Sequence, residues 1–95
     1  MSEMIDAAVK ALSAKLSGGF DGVAKFVIPG EGAIMLDPAG VRLGDDEADV
    51  TLTAEADVFR AILDGEMNPT MAFMTGKLSV DGNMGLALKL GSVLG

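Results

Sequence analysis

The sequence predicts an α+β domain, a five-stranded and mainly antiparallel sheet covered by about four helices. Three observations carry that expectation. Apolar residues recur every three or four positions in residues 2–17 and 55–64, the spacing of one helix face. They alternate with polar residues at period two in residues 50–54 and 78–80, as in strands with one buried face. Between the first helix and Val50, a Pro-Gly and an Asp-Pro-Ala-Gly step separate three short apolar runs, which reads as an antiparallel meander.

Ninety-five residues suffice for one domain with a small core, and residues 1–95 are read as a single unit. Cys and His are absent, so there is no disulfide framework, no thiolate and no imidazole. Fourteen acids against seven scattered bases give a net charge of -7, which argues against nucleic acid. It also leaves at most a transient contact with a membrane. No apolar run approaches the ~20 residues of a spanning helix, and Glu3 and Asp6 stand where a secretory signal needs positive charge. The expectation is a cytoplasmic protein.

In residues 2–17, Ile5, Val9, Leu12 and Leu16 form one stripe, Ser2 is the expected cap, and Gly18-Gly19 ends the helix. Its mixed polar face lacks an aromatic anchor, which favours packing on a sheet over lying in a membrane surface. Phe20–Ile28 reads as the first strand, with Phe20, Gly22, Ala24, Phe26 and Ile28 on one face. The small Gly22 and Ala24 there mean either a closely packed helix or room for a ligand. Pro29-Gly30 suits a type II turn, residues 33–36 the second strand, residues 37–40 a glycine turn and residues 41–43 the third strand.

Residues 44–49 hold an acid cluster whose spacing does not match a calcium loop, so it reads as a solvated connection. Val50, Leu52 and Ala54 make the fourth strand, and Thr53 is placed to cap a helix bearing Val58, Phe59, Ile62 and Leu63 up to Gly65. Asn68 and Pro69 restart a helix as cap and first residue, and Gly76 stops it. Gly76-Lys77 is no phosphate loop, because Met71 stands where such a loop needs Gly. Leu78 and Val80 make the fifth strand, and Asn83 caps the last helix. There Met84, Leu86, Leu88, Leu90, Val93 and Leu94 spread around much of the circumference, more than a small core can enclose. Such a helix is expected to face a groove, a ligand or another subunit.

Met67-Asn68-Pro69, Ala72-Phe73, Gly76-Lys77-Leu78, Gly82-Asn83-Met84-Gly85-Leu86-Ala87 and Lys89-Leu90 form an ordered set. That set resembles the sterol-carrier-protein-two family, the non-specific lipid-transfer domain, over about the second half of the chain. The resemblance implies a sheet and helices enclosing an apolar tunnel that binds lipid without catalysis. Longer members continue past the pair matching Lys89-Leu90, so a more open or smaller cavity is expected. The chain ends Ser92-Val93-Leu94-Gly95 instead of a peroxisomal Lys-Leu signal, and a bacterial cytoplasmic member is the expectation.

Function then reads as binding and transfer or sequestration of a fatty acid, acyl-CoA, sterol-like lipid or phospholipid. The expected lining is Phe59, Ile62, Leu63, Met67, Met71, Met74, Leu86 and Leu90, with Phe26 and Leu52 from the sheet. On residues alone the Met cluster reads as gap-filling in a small core; with the resemblance it reads as an adaptable lining. The alternative is an accessory or dimerisation module for a partner, for instance in bacterial quinone or lipid biosynthesis, with a homodimer through Leu88, Val93 and Leu94. No catalytic residue, metal ligand or cofactor is assigned, since no nucleophile–base spacing is visible.

Overall fold

The structure, a computed structural model, describes residues 3–16 and 19–94, and of Met4 only the backbone. Its elements run α1 (Glu3–Lys15), β1 (Ala24–Ile28), β2 (Gly32–Asp37), β3 (Gly40–Leu43), β4 (Val50–Ala54), α2 (Ala56–Leu63), α3 (Pro69–Met74), β5 (Leu78–Gly82) and α4 (Met84–Leu94). Ser2 and Gly18, the expected cap and stop of the first helix, lie outside the described residues.

The five strands form one sheet in the order β3-β2-β1-β4-β5. The pairs β1–β2, β2–β3 and β4–β5 are antiparallel, whereas β1–β4 is parallel, so the sheet is mixed. The parallel pair arises because the β2–β3 hairpin carries the chain out to one edge before β4 returns beside β1.

The first strand begins later than Phe20. Gly22 adopts a φ of +143°, a conformation L side chains rarely adopt, and the chain bends before Ala24. Phe20 is still buried, and its N–H donates at 2.9 Å to the carbonyl of Asp37, the last residue of β2. At Gly22 the small residue on this face makes room for a helix side chain. A Cβ there would stand 3.0 Å from Leu86 Cδ2, so Gly22 admits the closely packed side chain of α4.

Thr53 stays in β4 and caps nothing; Glu55 holds the cap position of α2 without a side-chain bond. The end of α2 follows expectation. Gly65 at φ +78° lets Glu66 N–H reach the Ala61 carbonyl at 2.8 Å, while Gly65 N–H reaches Ile62 at 3.1 Å. Gly76 repeats this arrangement after α3, with Lys77 N–H on the Ala72 carbonyl at 2.8 Å.

The core lies on one face of the sheet. Ile5, Ala8 and Leu12 of α1, and Leu16 just after it, meet Ala24, Phe26 and Ile28 of β1, together with the inward residues of β2 and β4. The opposite face carries Lys25, Met35 and Arg42 as cross-strand neighbours. The acidic connection folds back toward it: Lys25 Nζ lies 2.8 Å from Asp45 Oδ1, and Arg42 Nη2 lies 3.5 Å from Asp46 Oδ2. It is therefore tethered, where the sequence suggested only a solvated loop.

Candidate functional site: an apolar cavity between two helices and the sheet

Register builds the floor of the site. Phe26 pairs with Leu52 across β1–β4, and Leu52 pairs with Val80 across β4–β5. One row of side chains thus crosses three strands on the core face, and Leu78 adds the next position along β5. All four line a cavity of about 570 Å³, with Ile62 of α2 beside them. Pro69 of α3 and Ala87 and Leu94 of α4 close its deeper sides and are themselves buried.

The lips are α3 and α4. On α3, Thr70, Phe73 and Met74 line the cavity at the i, i+3, i+4 spacing of one helix face. On α4, Met84, Leu88, Gly91 and Ser92 do the same. Met74 is 73% exposed and Leu88 68%, so the mouth opens to solvent between these two helices. Asn68 positions the first lip: its Oδ1 accepts the N–H groups of Thr70 at 2.8 Å and Met71 at 3.3 Å. Asn83 positions the second, its Oδ1 accepting Leu86 N–H at 3.0 Å.

Of the residues expected to line a site, the structure brings Phe26, Leu52, Ile62 and Met74 together around the cavity. Phe59 and Leu90 are wholly buried in the core instead. Leu63, Met67 and Leu86 are partly buried against that core, and Met71 on α3 is exposed outside the lining. Phe73, Leu78, Val80, Met84 and Leu88 were not expected there. The alternation of Leu78 and Val80 on β5 was the signal for two of them, since it places both on the face of Leu52. Of the three residues expected at a dimer face, Leu94 is buried, while Leu88 and Val93 reach solvent.

Chemically the site is plain. No described lining residue is charged, and the polar ones are Asn68, Thr70 and Ser92, all at the rim. The Thr70 and Ser92 hydroxyls have no carboxylate or imidazole among the lining residues to activate them. Among the described residues, no group of three or more acidic residues is placed to hold a metal ion. No helix among them is long and apolar enough to cross a membrane.

Residues 3–95 match the SCP-2 sterol transfer family. The chain belongs to that family. This member is 35% identical over 103 residues to hydroxysteroid dehydrogenase-like protein 2 of Xenopus laevis, an alignment covering all of this chain and 25% of that protein. The chain thus spans about a quarter of the length of that relative. Among solved structures, sterol carrier protein 2 like 2 of Aedes aegypti superposes with a TM-score of 0.80 at 23% identity, covering 95% of each chain. Sterol carrier protein-2 of Aedes aegypti, in complex with the C16 fatty acid palmitate, superposes with a TM-score of 0.78 at 25% identity, covering 99% of this chain and 96% of that one. These likenesses agree with the α+β sheet-and-helix architecture.

Proposed function

We propose that this chain binds the apolar tail of a lipid in the cavity between α3, α4 and the sheet, and carries or sequesters it without covalent chemistry. The observation that carries this reading is the cavity of about 570 Å³, with a buried apolar floor and a mouth between two helices. Sites of a few hundred Å³ lined mostly by apolar groups are the usual form of a small-molecule pocket. Burial of each CH₂ contributes roughly 0.8 kcal/mol, so a sixteen-carbon tail offers on the order of 10 kcal/mol before ordering costs. The palmitate complex of the Aedes aegypti relative supports the same use of the fold. Within the lining, Phe26, Leu52, Ile62, Leu78 and Val80 would contact the tail, with Phe73, Met74 and Met84 adapting to its shape.

Native mass spectrometry of freshly purified protein, followed by organic extraction and addition of lipid to the extracted chain, tests this. The expected result is a monomer carrying adducts of lipid mass, with binding restored on addition. A stable oligomer that carries no lipid and takes none up would overturn the reading in favour of a partner module.

A further inference from the structure

We propose that Met74 and Met84 are a modification site: a hydroperoxide oxidises both thioethers to sulfoxides at the mouth of the cavity, and this loosens the hold on the lipid tail. The proposal rests on the lipid-binding reading above and concerns the regulation of that site, not its ligand.

Methionine is the only sulfur chemistry this sequence offers. Cys is absent, so no thiolate competes for a peroxide. The fold then sorts the methionines. Met35 is buried, and Met67 is partly buried against the core. Met71, Met74 and Met84 reach solvent, at 55%, 73% and 46% exposure. Of these three, only Met74 and Met84 line the cavity, and they stand on opposite lips, one on α3 and one on α4. Access for an oxidant and a place in the lining therefore coincide on both sides of the mouth. Met71 is a natural comparison, exposed on the same helix as Met74 but outside the lining.

The oxidation is complete in the two reactants. A thioether lone pair attacks the terminal oxygen of the hydroperoxide. The S–O bond forms as the O–O bond breaks, and the other oxygen takes the proton and leaves as water or an alcohol. Sulfur is oxidised and the peroxide reduced by the same electron pair. No neighbouring acid or base is required, in keeping with a lining that holds no charged residue.

The product acts through the bound state. Oxidation turns a flexible apolar side chain into a polar one with an acceptor oxygen. In the free protein water solvates that oxygen, so the fold is little affected. A tail crossing the mouth displaces this water, and Phe73, Leu78, Val80 and Leu88 of the lining offer no side-chain donor in return.

The test uses the full, delipidated chain, treated with hydrogen peroxide that catalase then removes. Peptide mapping by mass spectrometry follows each sulfoxide, and circular dichroism follows the fold. Affinity is read from the fluorescent probe N-phenyl-1-naphthylamine and its displacement by palmitate. The expected result is oxidation of Met71, Met74 and Met84 well before Met35, with the fold retained. Affinity for palmitate should fall roughly three- to ten-fold, the range of one or two polar groups desolvated, and methionine sulfoxide reductases should restore it. Each variant is compared with its own untreated form. Met71→Leu should lose affinity on oxidation as the wild type does, whereas Met74→Leu combined with Met84→Leu should not. Sulfoxides at Met74 and Met84 with affinity unchanged would overturn the proposal and leave lipid binding standing. So would a combined variant that loses as much as the wild type, or a loss of affinity that accompanies unfolding. An untreated chain that takes up neither the probe nor palmitate would overturn the lipid-binding reading itself.

Discussion

The rings of Phe26 and Phe59 meet with centroids 4.6 Å apart and planes inclined at 44°. One ring floors the cavity and the other is buried behind it on α2, so Phe59 supports the site without lining it. Phe59→Ala is expected to cost about 3–5 kcal/mol, a large share of the 5–15 kcal/mol typical of a whole domain. Phe59→Leu keeps most of the volume, is expected to cost about 1–1.5 kcal/mol, and lets Phe26 shift. Thermal melts should order the three proteins wild type, Leu, Ala. Lipid affinity should already fall in the Leu variant, measured where that variant is fully folded.

Asn83 holds the start of α4 through its bond to Leu86 N–H, and Leu86 in turn packs over Gly22. Asn83→Ala removes that acceptor and is expected to cost about 1 kcal/mol, while Asn83→Ser retains most of the stability. Urea midpoints at unchanged slope would show this. Equal midpoints for all three proteins would mean that the cap contributes nothing measurable.

The elements were legible because their signals are local. Asn68-Pro69, Gly65 and Gly76 are read correctly from residue type alone, since a cap, a fixed φ and a positive φ depend on few neighbours. The expected strand start at Phe20 fails for the opposite reason. Alternation continues through Gly22, but that residue takes a φ of +143° and packs under Leu86, a neighbour far away in sequence. The site was legible on β1 and β4, where Phe26 and Leu52 lie on the one apolar face, but on α2 only Ile62 of the three residues expected lines the cavity. It was not on α4. That helix carries two apolar stripes, Leu86–Leu90 toward the core and Met84–Leu88 toward the cavity. Periodicity finds both and ranks neither. Likewise Met71 and Met74 are equally apolar, and only the docking of α3 turns Met74 toward the mouth and leaves Met71 outside the lining.

On the edge of the sheet, the Arg42 guanidinium donates to the Asp37 carboxylate, which also accepts Ala39 N–H at 2.9 Å. The Arg42 bond is the main reason the Asp37 carboxyl is held below its ordinary value, with the backbone bond helping. A depressed carboxyl pKa adds stability that is complete above the unfolded-state value and is lost as pH falls through the lower folded value. Arg42→Met should therefore move the Asp37 titration upward, as followed by its side-chain carbonyl shift in NMR. The variant's melting temperature should also fall less steeply than the wild type's below a pH of about 4.

Two glycines beside the cavity elements should respond to alanine in opposite directions. Gly82 ends β5 at φ +107°, and a Cβ there would stand 2.4 Å from the Asp49 carbonyl oxygen and 3.1 Å from Val50 Cα. Both obstacles are backbone, at the first residue of the neighbouring strand and the one before it, and cannot turn aside, so Gly82→Ala is expected to cost roughly 2–3 kcal/mol. Gly91 sits inside α4, where glycine is about 0.5–1 kcal/mol worse than alanine. A Cβ there would meet only Pro69 Cβ, at an ordinary 3.8 Å. Gly91→Ala is thus expected to raise the melting temperature by several degrees, given ~4–8 °C per kcal/mol in a domain of this size. Gly91 and Pro69 both line the cavity from opposite lips, so the same methyl narrows the space between α3 and α4. Affinity for bulky ring-bearing lipids should then fall further than affinity for a slender straight-chain alcohol. A more stable protein with reduced capacity would place the cost of Gly91 in stability and its use in the cavity. A stabilised protein that binds both shapes unchanged would show that this gap does not limit the ligand.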